Sequence, residues 1–254
     1  MQQPDPLASP PLASPAPASA RPNRSMKIGI VVGLAAERAV LRAVPPSVQI
    51  ECARGAERAE QAAQALCAQG SDVLVSFGIA GAVSPVLSSG DLLLPEVVQW
   101  REQEYATDAH LRQCLHAVAH TGVHIAQGKH AGVDGVIGRV ADKHAFFERT
   151  GVLALDEESG ALAAAACAHG VRLVIVRAVA DTAVQGLPDE AGGWTDAAGN
   201  TCHARVLGDV LRRPSLLTTL PRMARGFARA LATLRHCREP VLALGSLAAA
   251  YPHA

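Results

Sequence analysis

Apolar residues run along this chain in short unbroken stretches and in helical stripes, and the two alternate. Ile28-Gly29-Ile30-Val31-Val32, ending at Gly33, predicts a buried strand, and Leu34 to Ala43 follows with helical spacing. Val48 to Cys52 reads as a short strand. Glu57 to Ala68 reads as an alanine-rich helix stopped by Gly70. Asp72 to Phe77 is a second buried strand, giving way to a glycine-rich turn, Gly78-Ile79-Ala80-Gly81. Asp91 to Val98, Val123 to Gln127 and Leu153 to Asp156 read as extended. Thr107 to His120, Lys143 to Arg149 and Ser159 to His169 read as helical. Arg172 to Ala180 is the most apolar strand. Leu207 to His236 is mostly helix, with breaks set by Pro214 and Pro221.

Strands that are apolar throughout and alternate with helices need cover on both faces. The pattern therefore predicts an α/β fold of three layers, αβα, around a central mixed, mainly parallel sheet. Residues 1–25 break the pattern. They hold seven of the 16 prolines, among Ala and Ser, and read as a disordered tail too interrupted to be a signal peptide. Met26, just ahead of the first strand, is a candidate start. One domain is expected over 26–238, with 239–254 as a C-terminal tail.

Composition narrows the class. Hydrophobic residues make up 49% of the 254 but aromatics only 3%, so the core must be built of small aliphatic side chains. Lys+Arg and Asp+Glu number 23 each, which argues against a nucleic-acid binder working through bulk charge. No apolar run reaches the roughly 20 residues that span a bilayer. Cys52, Cys67, Cys114, Cys167, Cys202 and Cys237 form no C-x-x-C and read as reduced thiols of a cytoplasmic protein. His116, His120 and His124 are four apart, but Thr121-Gly122 should end the helix between them, so no metal site is expected. Charge is uneven in one place: residues 205–238 carry eight arginines against Asp209 alone. Leu216, Leu220, Met223, Phe227, Leu231 and Leu234 mark a core-facing stripe there. The surplus charge makes this run a candidate contact with an anionic membrane surface.

In sheets of this kind ligands lie beyond the carboxyl ends of the strands. Those ends carry Gly33 through Glu37, Gly78 through Gly81, Asp156-Glu157-Glu158 and Asp181. Each has a plain structural reading: a first-turn glutamate, a tight turn, acids favoured by a helix dipole, a helix cap. Together they place a glycine-rich segment among carboxylates on one edge.

In this order, four segments resemble the nucleoside phosphorylase and nucleosidase superfamily. They are Met26-Lys27-Ile28-Gly29-Ile30 through Glu37; Val75 through Gly81 with Gly90-Asp91-Leu92; Leu155 through Ser159; and Val176 through Asp181. The resemblance covers nearly all of 26–236. Within the superfamily, Ser76 through Gly81 and Leu207 through Pro214 look most like the hopanoid-associated phosphorylases, which release adenine from adenosylhopane, a lipid nucleoside. The resemblance implies that Asp181 protonates N7 of the purine, Glu158 holds the ribose hydroxyls and Glu37 activates water. It places Gly78, Ile79, Ala80 and Gly81 beside ribose and base, and Val136 and Ile137 on a strand edge that cradles the base. Glu157 stands where many members have a ribose-packing Met, Ala180 where many have Ser, and Ile79 where many have Ser or Thr. Arg54 with Gly55, and Arg38, are the candidate phosphate contacts.

No cofactor is implied, only phosphate as a co-substrate, and phosphorolysis and hydrolysis both stay open. Dimers or rings of dimers are implied, with a small purine nucleoside or a lipid nucleoside as partner. Two rivals remain. One is a soluble-nucleoside enzyme, a methylthioadenosine-type nucleosidase or a purine nucleoside phosphorylase. The other is a non-catalytic nucleoside-binding module, to which Glu157 and Ala180 point. For the enzyme, Asp181 must hold a proton at neutral pH; raising a carboxyl by about 3 units costs roughly 4 kcal/mol, in the direction that burial pushes. Glu158 is expected to stay ionised and accept two hydroxyl hydrogen bonds.

Overall fold

The computed structural model describes residues 26–119 and 122–250. The expected tail 1–25 and His120 lie outside them. In chain order the elements are β1 (Ile28–Val32), α1 (Ala35–Arg38), β2 (Val48–Cys52), α2 (Ala56–Ala68), β3 (Val73–Ala82), β4 (Leu92–Leu93), β5 (Val97–Trp100), β6 (Gln103–Ala106) and α3 (Ala109–Val118). There follow β7 (Ile125–Ala126), β8 (Lys129–Gly132), α4 (Val140–Thr150), β9 (Ala154–Asp156), α5 (Ser159–His169) and β10 (Arg172–Asp181). A 3-10 turn at Asp189–Trp194 leads to α6 (His203–Arg212), α7 (Leu216–Leu242) and α8 (Leu244–Ala250).

Among the described residues the ten strands form one mixed sheet. β1, β3 and β10 are its centre, paired parallel, and their β-branched residues alternate between two apolar layers. Ile28, Ile30, Val75, Phe77, Val174 and Val176 face α3, α7 and α8. Val31, Leu74, Leu173 and Ile175 face the alanines of α2 and α5, whose small side chains let the helices lie close to the sheet. The expected three-layer αβα architecture is what the chain forms.

Several boundaries differ from the sequence reading: the helix expected over Leu34 to Ala43 is the single turn Ala35–Arg38, and the run Asp91 to Val98 is two strands, β4 and β5, with a break between them. Gly78 through Gly81 is strand, not turn: β10 pairs with β3 as far as Gly81, and β9 holds Gly81 and Ala82. Pro221 does not break α7; its missing N–H faces the carbonyl of Leu217, which lies on an exposed turn. Residues 239–242 end α7 and 244–250 form α8, with Val241, Leu242 and Leu244 buried in the α7 layer, so the packed body runs past 238. The stripe on α7 does face the core at Leu216, Leu231 and Leu234. All six cysteines are free, but only Cys114 and Cys237 are fully buried.

Candidate active site

Two strands stop short opposite the middle of β3. β1 pairs with β3 only as far as Val31 and Ser76. β9, running the other way along the same edge, pairs with β3 only at Gly81 and Ala82. Residues 77–80 therefore have no strand partner there, and their backbone groups need side chains instead. Glu37 Oε1 accepts the Ile79 N–H at 2.8 Å, and Arg177 Nη1 donates to the Ile79 carbonyl at 3.1 Å. The gap in the sheet is thus closed by charged side chains, and a cleft forms over it.

Glu37 reaches this gap from the single turn of α1. Its Oε2 accepts the N–H of Gly33 at 2.9 Å and of Leu34 at 2.8 Å. The side chain is buried, and burial raises its pKa against the pull of Arg177 and these backbone donors. Arg177 crosses the sheet from β10 to lie beside it. Gly78 lets it pass: a Cβ there would stand 2.5 Å from both Arg177 Nη1 and Glu37 Oε1.

Asp156, the last residue of β9, anchors the other side. It accepts from His130 Nε2 at 2.7 Å and from the Glu158 and Ser159 backbone N–H groups at 2.8 and 2.6 Å, and it forms an ion pair with Arg177, whose Nε lies 2.7 Å from Oδ2. Burial opposes its charge, yet Arg177 and His130 hold it well below the usual carboxylate range. Asp156 thereby fixes the start of α5, where Glu158 stands. Glu158 Oε1 accepts the Gly55 N–H at 3.0 Å, and Arg177 Nη2 lies 3.5 Å from Oε2.

Burial, with Asp156 and Glu37 nearby, pushes Glu158 up to about 8 despite Arg177. The expectation of an ionised Glu158 is thus opposed by burial and two neighbouring carboxyls, which favour the protonated form, with one acceptor and one donor for the ribose hydroxyls rather than two acceptors. A carboxyl whose pKa is higher folded than unfolded favours folding below its unfolded value, and loses that contribution as pH rises through the folded one. Stability should therefore fall between about pH 4.5 and 8 in the wild type, and the fall should flatten in Glu158→Gln; thermal melts across that window check it.

Asp181 closes β10 just after a bulge at Ala180, where the register with β3 slips between Val179 and Asp181. The extra residue turns Asp181 onto the side of Gly81, which offers room: a Cβ on Gly81 would stand 3.2 Å from Asp181 Oδ2. Burial raises the Asp181 pKa, and Lys143, an ion-pair partner from α4, pulls the other way.

One cleft is lined by Glu37, Glu157, Glu158, Asp181, Ile79, Ala80, Gly81, Val136 and Ile137, so most of the expected site comes together. Gly78 and Gly55 lie just behind it, under Glu37 and Glu158. Val136 and Ile137 sit on the loop after β8 rather than on a strand edge, because β8 stops at Gly132. Arg54 lines the cleft but is engaged, donating to the Gly192 and Thr195 carbonyls at 3.0 and 3.2 Å and pairing with Glu157 at 3.4 Å. It answers the charge of Glu157 and ties the 189–195 segment across the opening. Arg38 is not at the site; it is exposed and donates to the Ile50 carbonyl at 3.2 Å. The sequence reading passed over Arg177, His130 and Lys143. Two left a signal: Arg177 is the one charge inside the apolar run Leu173–Ala180, and Lys143 shares a helical stripe with Val140 and Phe147.

A model of the phosphorylase superfamily matches residues 30–212. The chain belongs to the phosphorylase superfamily. As a member it is an enzyme of the nucleoside phosphorylase and nucleosidase kind, which cleaves N-glycosidic bonds of nucleosides. Its fold is that of several solved structures in the superfamily. One is a mutant Helicobacter pylori methylthioadenosine nucleosidase with 5′-methylthioadenosine in its active site: 14% identity over 86% of this chain and 98% of that one, TM-score 0.66. The futalosine hydrolase of Helicobacter pylori matches at 13% identity over 85% and 97%, TM-score 0.65. The Neisseria meningitidis methylthioadenosine/S-adenosylhomocysteine nucleosidase in complex with methylthio-immucillin-A matches at 14% over 85% and 98%, TM-score 0.64. A search of curated proteins finds no match. This superfamily member has no described helix long and apolar enough to cross a membrane.

Proposed function

We propose that the protein hydrolyses the N-glycosidic bond of a purine nucleoside and releases adenine. The observation that carries this reading is the set of carboxyl groups that line the cleft, Glu37, Asp156, Glu157, Glu158 and Asp181, while Arg54, the lining cation, is already engaged. A sugar that turns cation-like as the base leaves is stabilised by a nearby ionised carboxylate such as Asp156, whereas a phosphate dianion needs a free cation to hold it. The nearby guanidiniums are also engaged, Arg54 as above and Arg177 by Ser76, Asp156, Glu158 and the Ile79 carbonyl. In this mechanism a water oxygen attacks C1′ and its proton passes to Glu37, whose raised pKa brings it nearer the working pH. The glycosidic electrons go to the base, and Asp181 gives its proton to N7. Glu158 holds the ribose hydroxyls, and Val136 and Ile137 flank the base.

The nucleoside is a lipid one, with adenosylhopane as the candidate that the sequence resemblance names. In support, Val136 and Val184 stand 45% and 80% exposed on the two loops that border the cleft, an apolar fringe suited to a long 5′ substituent. The basic run 205–238 bears Leu207, Leu211 and Leu217 exposed beside Arg212 and Arg213, a face suited to the anionic surface in which such a substrate resides.

Adenine release followed by chromatography tests the reading, with adenosylhopane, adenosine and methylthioadenosine supplied with and without phosphate. Adenine should appear from the lipid nucleoside without phosphate, and Glu37→Gln should lower that rate at least 100-fold while leaving substrate binding within a few-fold. Release only with phosphate would replace hydrolysis by phosphorolysis; release only from the soluble nucleosides would remove the lipid assignment; no release from any would leave a binding module.

A further inference from the structure

A lysine with an almost completely buried side chain stands behind Asp181. Lys143 comes from α4, the helix that follows the base-side loop, and its side chain is 1% exposed. Its Nζ donates to Asp181 Oδ2, to the Thr182 carbonyl at 3.0 Å and to the Gln185 carbonyl at 3.1 Å. An ammonium has three N–H bonds, and here each has an acceptor, so the surroundings are built for the charged form. An apolar residue would fill the space without this cost, and two backbone carbonyls alone do not require a buried charge.

We propose that Lys143 is the positioning residue of the acid: it holds Oδ2 of Asp181 so that the transferable proton sits on Oδ1, and it meets the carboxylate that remains once that proton has left. The bond count supports this. Oδ2 faces an N–H and cannot also carry hydrogen toward it, so Oδ1 is the oxygen from which a proton reaches the base. When the proton moves to the base nitrogen, Asp181 becomes a carboxylate beside a fixed ammonium in a site that excludes much of the water. Lys143 therefore makes Asp181 a stronger acid than burial alone would leave it, and it lowers the pH above which the acid is already ionised. The same side chain ties α4 to residues 182–185, and so holds the base-side loop against the strand end.

Lys143 is the charged group that meets Asp181. Glu37, Glu157 and Glu158 line the same cleft from α1 and the start of α5. Beside Lys143 on α4, Asp142 and His144 turn to solvent, with Arg139 and Glu148 as their partners.

The role rests on Asp181 being the acid, so the deciding measurement needs no turnover. The carboxyl of Asp181 is followed by carbon-13 NMR against pH in protein labelled at aspartate, with Asp181→Asn providing the assignment. Lys143→Met should raise its midpoint by one pH unit or more. Lys143→Gln, which keeps N–H donors for the two carbonyls but no charge, should do the same and serves if the Met variant does not fold. In turnover, either variant should lose at least tenfold in kcat with KM little changed, and the alkaline limb of its pH profile should move upward with the Asp181 midpoint. Equal Asp181 midpoints in wild type and variants overturn the proposal, as does a loss of activity with an unmoved alkaline limb, which a merely structural lysine gives. A wild type without turnover overturns the proposed function and leaves the carboxyl titration to decide whether Lys143 tunes Asp181.

Discussion

Arg177→Met will be among the most destabilising single substitutions in this protein, by about 3–5 kcal/mol, with Tm lower by on the order of 10 °C. The side chain is 1% exposed and offers its charge to three buried carboxyl groups, Asp156, Glu158 and Glu37. Methionine fills much of the same space, so packing is largely kept. What is lost is the counter-charge, along with donors to Ser76 and to the Ile79 carbonyl in the gap of the sheet. Asp156 then keeps the His130 imidazole and the Ser159 hydroxyl but no guanidinium, while Glu37 and Glu158 stand together without the cation that favours their ionised forms. The pH dependence identifies the cause. Without Arg177 these carboxyls have higher pKa values folded than unfolded, so the deficit grows as pH rises and shrinks near pH 5, where they take up protons. Denaturant melts of wild type and variant at pH 5 and pH 8 check this. A deficit below 1 kcal/mol, the same at both, would mean that Arg177 is not the charge that holds the cleft together.

The parts of the site legible in the sequence were those set by local position. A strand end is visible as the stop of an apolar run, so Glu37, Glu158 and Asp181 could be placed on one edge before any contact was known. The parts that escaped depend on pairing across the chain. Gly78 through Gly81 reads as a turn because glycines usually mark one, yet β10 keeps the segment in the sheet. The bulge at Ala180 that aims Asp181 is a count of two strands against each other, which neither strand shows alone. Arg38 and Arg54 each follow a strand at the carboxyl edge. Only the fold sends one to solvent beside β2 and the other across the cleft to the 189–195 segment. The raised pKa of Glu158 escaped for a related reason: it depends on burial and on groups brought from 37, 156 and 177, of which Asp156 alone is near it in sequence.

Asp181→Asn should abolish most turnover while the nucleoside still binds. Asparagine keeps the size and can still donate a hydrogen bond to a base nitrogen, but it has no proton to give up, so the base must leave as an anion. General acid catalysis by a placed side chain is worth about 10²–10⁴-fold, or roughly 3–5 kcal/mol of barrier. The loss should therefore fall in kcat, with KM changed by only a few-fold. The wild-type rate should decline at high pH as Asp181 ionises, and that alkaline limb should vanish in Asp181→Asn. Lys143 supplies a second consequence. Its ammonium then faces an uncharged amide oxygen beside the carbonyls of Thr182 and Gln185, so at pH values where wild-type Asp181 is ionised the variant should also melt lower than wild type. Binding and stability thus separate from chemistry: isothermal titration with adenine reports an intact cleft, melting reports the stranded lysine, and initial rates report the missing proton. A rate within fivefold of wild type, with the alkaline limb still present, would place the acid elsewhere. Asp181 would then be a structural partner for Lys143 at the end of the sheet.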